Sequence, residues 1–456
     1  MNKTYILDTN VLLSDANALF SFQENNIVLP FIVIEELDRH KDRQDDVGRN
    51  ARETARRLSL ITKHDKNLSS GVSLGENMGT LRVISLVEAA AGNVIEIPVE
   101  LEEVKSGDNS IIKFCLNYIN ANKQENVILV TRDILLQLKC ISVKINVEDY
   151  KKFNVASDAN RLYSGCSTIS NVDVGEFYKD QDGFRLPEED SDKLQPNEFV
   201  VLRNPVGNSS SAMARFIHKD KPLKKIVKRA LGKFETRNKE QEFAIDLLLD
   251  PSVKLVTLVG SAGTGKTLCA LAAGLEQVIG NGSKGSPRNS SFKSLVVCRP
   301  IQPLGKDIGF LPGTLQEKME PWIAPIKDNL RYLITEGKKG NFNDEILQEY
   351  FDQGIIEVEA MAFIRGRSIA NAFIIIDEAQ NLNMHELKTI LTRVGENTKI
   401  VLTGDVEQID NLYVDSTSNG LAIAVEKFKH HPISGHVTLI KGERSELATL
   451  SAKLLG

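Results

Sequence analysis

The sequence predicts an α/β chain made of two parallel-sheet units with helices, joined by a small β-rich connector. Three observations carry this. Short runs rich in Val, Ile and Leu recur at 5–7, 27–30, 126–131, 254–259, 373–376 and 399–403, the pattern of strands buried on both faces. Most of these runs end in an acid or a glycine-rich turn and give way to a helix pattern, as βα units do. The 456 residues allow two or three domains with cores of their own, and the boundaries read as 1–158, 159–220 and 221–456.

In the first unit the informative side chains are carboxylates. The run Tyr5-Ile6-Leu7 ends in Asp8-Thr9-Asn10, the run 27–30 leads to a helix carrying Glu35 and Glu36, Asp108 follows Ser106-Gly107 where a helix should begin, and Asp133 stands just past Thr131. Acids at strand ends and helix starts can converge on one sheet edge, and hard oxygen ligands of this kind suit Mg²⁺ or Mn²⁺. The chemistry implied is metal-assisted phosphodiester hydrolysis. Taken singly, each acid also reads as a helix cap or a solvated group, Asp108 above all. Arg49, Arg52 and Arg56 recur at helical spacing, which fits a solvated helix face or the entrance to an acidic cleft.

In the connector, 172–177, 198–203 and 212–217 read as strands, with a turn at 205–211. The acidic, turn-rich stretch 183–192 reads as a boundary loop. Lys224, Lys225, Lys228, Arg229 and Lys233 then interleave with Leu223, Ile226, Val227 and Leu231, as an amphipathic helix between domains or a phosphate-contacting segment would.

The second unit carries Gly260-Ser261-Ala262-Gly263-Thr264-Gly265-Lys266-Thr267, which fits G-x-x-x-x-G-K-[ST] and lies between a strand pattern and a helix pattern. Its glycines let backbone N–H groups turn toward an anion, Lys266 would reach the β- and γ-phosphates, and Thr267 would ligate Mg²⁺. The expected ligands are therefore ATP and Mg²⁺. After the run 373–376, Asp377 would hold Mg²⁺ and Glu378 would orient or deprotonate the attacking water. The run 399–403 delivers Thr403, Asp405 and Gln408 to the same edge, where they could sense the γ-phosphate. Gln241, just before a helix pattern, could pair with the adenine edge or serve a cap. The Gly- and Ser-rich insert 281–291 reads as a surface loop.

Composition narrows the classes further. With 41% hydrophobic and 26% charged residues the chain is globular in character, and without a long apolar run or a signal-peptide pattern the expectation is a cytoplasmic protein with no membrane partner. The five cysteines lack C-x-x-C spacing and read as reduced thiols. A net charge of −5 gives no overall attraction to a polyanion, so any nucleic-acid contact must be local.

Gln241, the phosphate loop, Asp377-Glu378-Ala379-Gln380 and Thr403-Gly404-Asp405 with Gln408 resemble the first motor domain of superfamily-one helicases. With Arg299-Pro300, Met319-Glu320-Pro321-Trp322, Ile364-Arg365-Gly366-Arg367 and Lys441-Gly442-Glu443-Arg444-Ser445, the series resembles more closely the PhoH-like ATPases, from about Lys221 to the C-terminus. Asp8-Thr9-Asn10, Glu36, Asp108 and Asp133, in that order, resemble the PIN ribonuclease family over roughly Met1 to Asp158. The two in tandem resemble the PIN-PhoH family.

That resemblance implies a PIN-like parallel sheet and a RecA-like P-loop NTPase, with ATP-dependent RNA unwinding coupled to metal-dependent RNA cleavage. It implies Asp8, Glu36, Asp108 and Asp133 as metal ligands or water activators, with Asn10 and Thr131 supporting them. Glu36 directly precedes Leu37, as the family motif has it, and Glu35 competes for the role. About one RecA-sized domain fits after Lys221. The second wall of the ATP site would then come from a neighbour in a homo-oligomeric ring, a hexamer by the resemblance, with Arg444 as the trans arginine and Arg365 and Arg367 as alternatives. Two other classes of function compete: an ATP-gated RNA-binding regulator with a PIN scaffold, and a protein-remodelling ATPase.

Overall fold

The computed structural model describes residues 2–63, 68–94, 106–150, 155–156, 158–180, 183–204, 210–280, 291–300, 315–334, 342–360, 369–411 and 414–442. The chain divides into two compact units, Met1–Lys152 and Phe153–Gly456.

The first unit is built on six strands: β1 (Lys3–Leu7), β2 (Asn26–Pro30), β3 (Val72–Ser73), β4 (Thr80–Ile84), β5 (Asn126–Thr131) and β6 (Val147–Asp149). Their order is β3-β4-β2-β1-β5-β6, and every pairing is parallel except that of β3 with β4. Ile6, Leu7, Val28 and Leu129 are fully buried and pack with Val11, Ile112 and Cys115 from the covering helices. Burial on both faces explains why these strands read as unbroken apolar runs. Because β1 lies between β2 and β5, their carboxyl ends stand side by side, and the helices Thr9–Ser14, Phe31–His40 and Ile134–Ser142 all start from that edge.

The second unit holds two sheets. The larger contains β11 (Leu255–Gly260), β12 (Ser294–Arg299), β13 (Ile356–Ala360), β14 (Ala372–Ile376), β15 (Lys399–Gly404) and β16 (Ser434–Leu439), all parallel, in the order β13-β12-β14-β15-β11-β16. Alternate residues feed opposite cores: Val256, Leu258, Phe373, Ile375 and Val401 on one face, Leu255, Val259, Ile374, Ile400 and Leu402 on the other. The order places β15 between β11, which leads into the phosphate loop, and β14, which leads into Asp377.

The smaller sheet, β7 (Cys166–Ile169), β8 (Glu198–Arg203), β9 (Ser211–Phe216) and β10 (Lys224–Lys225), runs β10-β9-β8-β7 and packs within the second unit. Phe199 stacks on Phe243 at a centroid distance of 4.3 Å, and the Asn197 amide donates to the carbonyls of Pro432 and Ser434, each at 2.8 Å. Arg215, 1% exposed, lies 2.8 Å from Asp246 and pairs with Asp250. Against the upward push of burial, Ser252 and Arg215 hold the Asp250 carboxyl well below the usual carboxylate range. The helix Lys239–Leu249 is closed at its C-terminus by Lys399, whose ammonium donates to the carbonyls of Leu247 (3.1 Å), Leu248 (2.6 Å) and Asp250 (2.7 Å). Burial pulls this ammonium down to about 7.

Two sequence expectations for local structure give way here, and a third, the loop at 183–192, is refined. The stretch 172–177 is not a strand: Asp173 accepts hydrogen bonds from the N–H groups of Gly175 and Glu176 and starts the helix Val174–Lys179. The stretch 183–192 contains the short helix Glu188–Ser191, and the carbonyl of Phe184 accepts from Leu223 N at 2.8 Å, so it is part of the small module's packing. The basic stretch 224–233 is not a helix. Lys224 and Lys225 form β10, and the chain then runs as coil through a turn at Gly232 (φ 56°) that bridges Leu231 to Phe234. The turn 205–211 and the insert 281–291 fall largely outside the described residues.

Candidate nucleotide and acidic sites

The phosphate loop follows β11 and opens the helix Lys266–Ile279. Its N-cap is Gly265, so no N-cap side chain competes with an anion for the N–H groups of the first turn. Gly263 and Gly265 have φ of 83° and 90°. A Cβ at Gly265 would also lie 2.8 Å from Gln241 Nε2, so both conformation and space select glycine there. The Lys266 ammonium donates to the carbonyls of Gly260 (2.6 Å) and Ser261 (3.0 Å), which holds it over the loop.

The acids of the neighbouring strands converge on the same place. Asp377 Oδ1 accepts from the Thr267 hydroxyl at 2.8 Å and from the Thr403 hydroxyl at 2.6 Å. Glu378 has a left-handed backbone, φ 55° and ψ 41°, a conformation that costs about 1–3 kcal/mol for a residue with a side chain. Its carboxylate accepts from Arg299 (3.2 Å) and from the Gln380 amide (2.7 Å). Gln380 also donates to the carbonyl of Gln408 at 2.9 Å and accepts from Asp405 N at 3.1 Å, so Asp405 and Gln408 lie beside the same two acids. Sequence reasoning gave Arg299 no role, although an arginine at a strand end facing an acidic pair is the available signal.

Gln241 is buried, and its amide is engaged within the protein: Oε1 accepts from Arg237 N at 2.8 Å and Nε2 donates to the carbonyl of Thr264 at 3.1 Å. It braces the phosphate loop. The cap of its helix is Asn238, whose side chain accepts from Gln241 N at 3.0 Å. The ATPase resemblance elements at Ile364–Arg367 and Arg444 lie outside the described residues.

In the first unit, Asp8 is 2% exposed at the end of β1, and its Oδ2 accepts from the Thr131 hydroxyl at 2.6 Å. Burial pushes its carboxyl up to about 6; the Thr131 hydroxyl opposes this, while Glu36 and Asp108 add negative charge nearby. Glu36 accepts from the Thr9 hydroxyl, and a Cβ on Gly107 would meet Glu36 Oε1 at 2.1 Å, so glycine is what lets this carboxylate approach the helix that carries Asp108. Glu35 is exposed; Glu36, not Glu35, stands against Thr9 and Gly107.

Asp108 pairs with Lys139 at 2.9 Å, and its helix is capped by Ser106. Asp133 Oδ1 caps the helix Ile134–Ser142 by accepting from Leu135 N (2.8 Å) and Leu136 N (3.1 Å), while Asp133 N donates to Thr131 Oγ1 at 3.0 Å. Among the described residues no group of three His, Cys, Asp or Glu side chains is arranged to hold a metal ion. Asp8 lies within reach of the charges of Glu36 and Asp108, and Asp133 is tied to it through Thr131, while each of the four acids has a hydrogen-bond or ion-pair partner inside the protein. Asn10 is exposed. Of the arginine stripe, Arg52 folds back onto the carbonyls of Lys41 (2.5 Å) and Arg43 (2.8 Å), and Arg56, 78% exposed, lies 3.7 Å from Glu53.

The five cysteines are free thiols, and among the described residues no helix is long and apolar enough to cross a membrane.

Comparison with known proteins matches both halves. The PIN-domain family profile matches residues 5–151, and the profile described as PhoH-like protein matches 233–449. The chain is 45% identical over 464 residues to the protein named PhoH2 of Bacillus subtilis strain 168, with 100% of both chains covered. It is 34% identical to the PhoH2 proteins of Thermobispora bispora (99% of this chain, 96% of that one) and Mycolicibacterium smegmatis (99% and 97%).

Proposed function

The chain belongs to the PhoH2 family, in which a PIN domain is joined to a PhoH-like ATPase domain, and on that premise we propose that it is an ATP-driven RNA remodeller carrying a metal-dependent ribonuclease. The architecture is of ATPase and nuclease type. The observation that carries the ATPase half is the double hydrogen bond to Asp377 Oδ1 from Thr267 and Thr403, which assembles the phosphate loop and two strand ends on one oxygen.

In this reading the loop N–H groups and Lys266 bind the phosphates of ATP, and Thr267 and Asp377 hold Mg²⁺. Glu378, oriented by Arg299 and Gln380, takes the proton of the attacking water. In the acidic site, Asp8, Glu36, Asp108 and Asp133 offer oxygen donors of the kind Mg²⁺ or Mn²⁺ prefers; the Asp8 carboxyl is raised first by burial and further by the charges of Glu36 and Asp108, and a cation there would offset both. Such a cation supplies a water of lowered pKa as nucleophile toward the RNA phosphodiester. Thr131 holds Asp8, and Thr9 holds Glu36, in place for it.

One observation favours a second reading. With Asp108 paired to Lys139 and Asp133 used as a cap, the PIN unit fits an RNA-binding scaffold under ATP control. Purified protein on labelled single-stranded and duplex RNA, with and without ATP and Mg²⁺ or Mn²⁺, separates the two. Metal-dependent cleavage is expected, and Lys266→Ala should lose ATP-dependent unwinding while still cutting unstructured RNA. Absence of cleavage by wild-type protein with either metal would leave the scaffold reading.

The ATP site is proposed to be completed in a homo-oligomeric ring, a hexamer by family resemblance, with Arg444 reaching the neighbour's γ-phosphate and Arg365 and Arg367 as alternatives. Mixing Lys266→Ala with Arg444→Ala subunits should restore part of the ATPase activity. A monomer fully active at every protein concentration would rule the shared site out. The expected location is the cytoplasm.

A further inference from the structure

The coil between β10 and the helix Lys239–Leu249 combines a fixed backbone with uncommitted positive charge. Leu231 and Phe234, 7% and 4% exposed, sit in the core of the ATPase face, and their bridge around Gly232 closes a tight turn. Two buried anchors on so short a segment hold it as a ridge rather than a tail. Lys228, Arg229, Lys233 and Arg237 are exposed on it. None of these four side chains forms an ion pair or hydrogen bond with a described residue, whereas the cations just upstream are engaged. Lys224 lies 2.7 Å from Asp246; Lys225 lies over the Phe177 ring at 5.4 Å and donates to the carbonyl of Tyr178 at 3.2 Å.

Four cations with no partner among the described residues, against one acid, Glu235, within 228–237, make a local positive ridge on a chain of net charge −5, suited to a polyanion rather than to one small anion. The ridge exposes no aromatic ring, since Phe234 is buried, so it offers charge without a stacking platform. That favours contact with phosphates over reading of bases.

The ridge also leads directly to the nucleotide site. Arg237 N donates to Gln241 Oε1 at 2.8 Å, and Gln241 Nε2 donates to the carbonyl of Thr264 in the phosphate loop at 3.1 Å. The end of the ridge is thus two hydrogen bonds from the loop that would cradle ATP.

We propose that the ridge formed by Lys228, Arg229, Lys233 and Arg237 is a docking surface for the phosphate backbone of RNA, and that Gln241 connects its occupancy to the phosphate loop. This rests on the RNA reading given above. Binding here is independent of base identity and steeply dependent on salt.

The test uses the full chain and fluorescein-labelled oligouridine and oligoadenosine, with affinity measured by anisotropy across a salt series. In the variant Lys228→Gln, Arg229→Gln, Lys233→Gln, both oligonucleotides should bind at least about tenfold more weakly, and the slope of log affinity against log salt should become shallower by about 2, three lost contacts at roughly 0.7 each. The charge-preserving pair Lys228→Arg, Arg229→Lys should bind like wild type. RNA-stimulated ATP turnover at subsaturating RNA should fall with the affinity of the triple variant. Unchanged affinity and slope in a triple variant that melts at the wild-type temperature would overturn the ridge, and would assign its cations to another partner such as an acidic protein surface, while the RNA reading stood. Wild-type protein that binds neither oligonucleotide would overturn both. Weakened binding with full stimulation of turnover at subsaturating RNA would overturn the connection through Gln241.

Discussion

Thr403 donates a hydrogen bond of 2.6 Å to Asp377 Oδ1, tying the end of β15 to the end of β14. Thr267 reaches the same oxygen at 2.8 Å, so a single carboxylate oxygen registers the phosphate loop against both strands. Thr403 is fully buried, and its hydroxyl is its only polar side-chain atom.

Replacing Thr403 by Val keeps the volume and removes the hydroxyl. A hydrogen bond to a charged group contributes about 1.5–3 kcal/mol, so Thr403→Val should raise the Mg²⁺ concentration for half-maximal ATP turnover by roughly tenfold or more. A Mg²⁺ titration of steady-state ATPase activity measures this. An unchanged half-saturation would remove β15 from the ATP site.

Asp8 gives a prediction with a pH sign. Its carboxyl is raised from 3.8 to about 6, first by burial, so between those values the folded unit binds more protons than the unfolded chain. Stability from this group is full below the lower value and is lost as pH rises through about 6, by roughly 3 kcal/mol at about 1.4 kcal/mol per pKa unit. Asp8→Asn should therefore abolish metal-dependent RNA cleavage, keep ATP turnover, and flatten the loss of stability between pH 5 and 7.5 in metal-free buffer. Urea unfolding at the two pH values reads the stability arm. A variant as pH-sensitive as wild type would contradict the buried-acid account.

Much of both sites was legible because their chemistry is local in sequence. The loop Gly260–Thr267 and the pair Asp377-Glu378 announce themselves by spacing, and the strands that carry them read as apolar runs because both faces are buried. What was not legible depends on partners far along the chain. Nothing near Glu378 in sequence indicates Arg299, 79 residues away, and nothing near Gly107 indicates that its missing Cβ makes room for Glu36. Val172–Phe177 misled because Val and Phe favour strands, while one Asp173 side chain is enough to start a helix. The basic stretch misled for the opposite reason: Lys224, Lys228 and Lys233 look alike in sequence, and only the fold distinguishes the one that pairs with Asp246 from those left in solvent.

Gln241 separates two roles that the sequence left open. As a brace it holds Arg237 N and the Thr264 carbonyl, neither of which depends on the base of the nucleotide. Gln241→Ala removes both bonds and should then weaken ATP and GTP to a similar degree, by about tenfold or more, since the bond to the Thr264 carbonyl alone contributes about 1–1.5 kcal/mol. Fluorescent analogues of both nucleotides measure it. A selective loss of ATP, with GTP unaffected, would restore the adenine-reading role.

His436 provides the last prediction, on the stability of the second unit in acid. Its ring lies in β16, 4% exposed, between the hydroxyls of Thr257 (2.8 Å) and Thr438 (2.9 Å). Burial pulls its pKa down from 6.5 to about 3, with hydrogen bonds opposing the shift. The unfolded chain therefore binds a proton below about 6.5 that the folded unit refuses until about 3, and stability falls as pH drops through that window. At pH 5 the loss is about 2 kcal/mol, 1.5 pH units below the unfolded value at about 1.4 kcal/mol each. β16 pairs with β11 along its whole length and reaches Gly260 at Leu439. His436→Gln keeps a polar group between the two threonines and does not titrate. It should lower stability at pH 7.5 through imperfect packing yet remove most of the decline between pH 7.5 and 5, as read by urea midpoints with intrinsic fluorescence. A variant whose midpoint declines as steeply as wild type would assign the acid sensitivity to other groups.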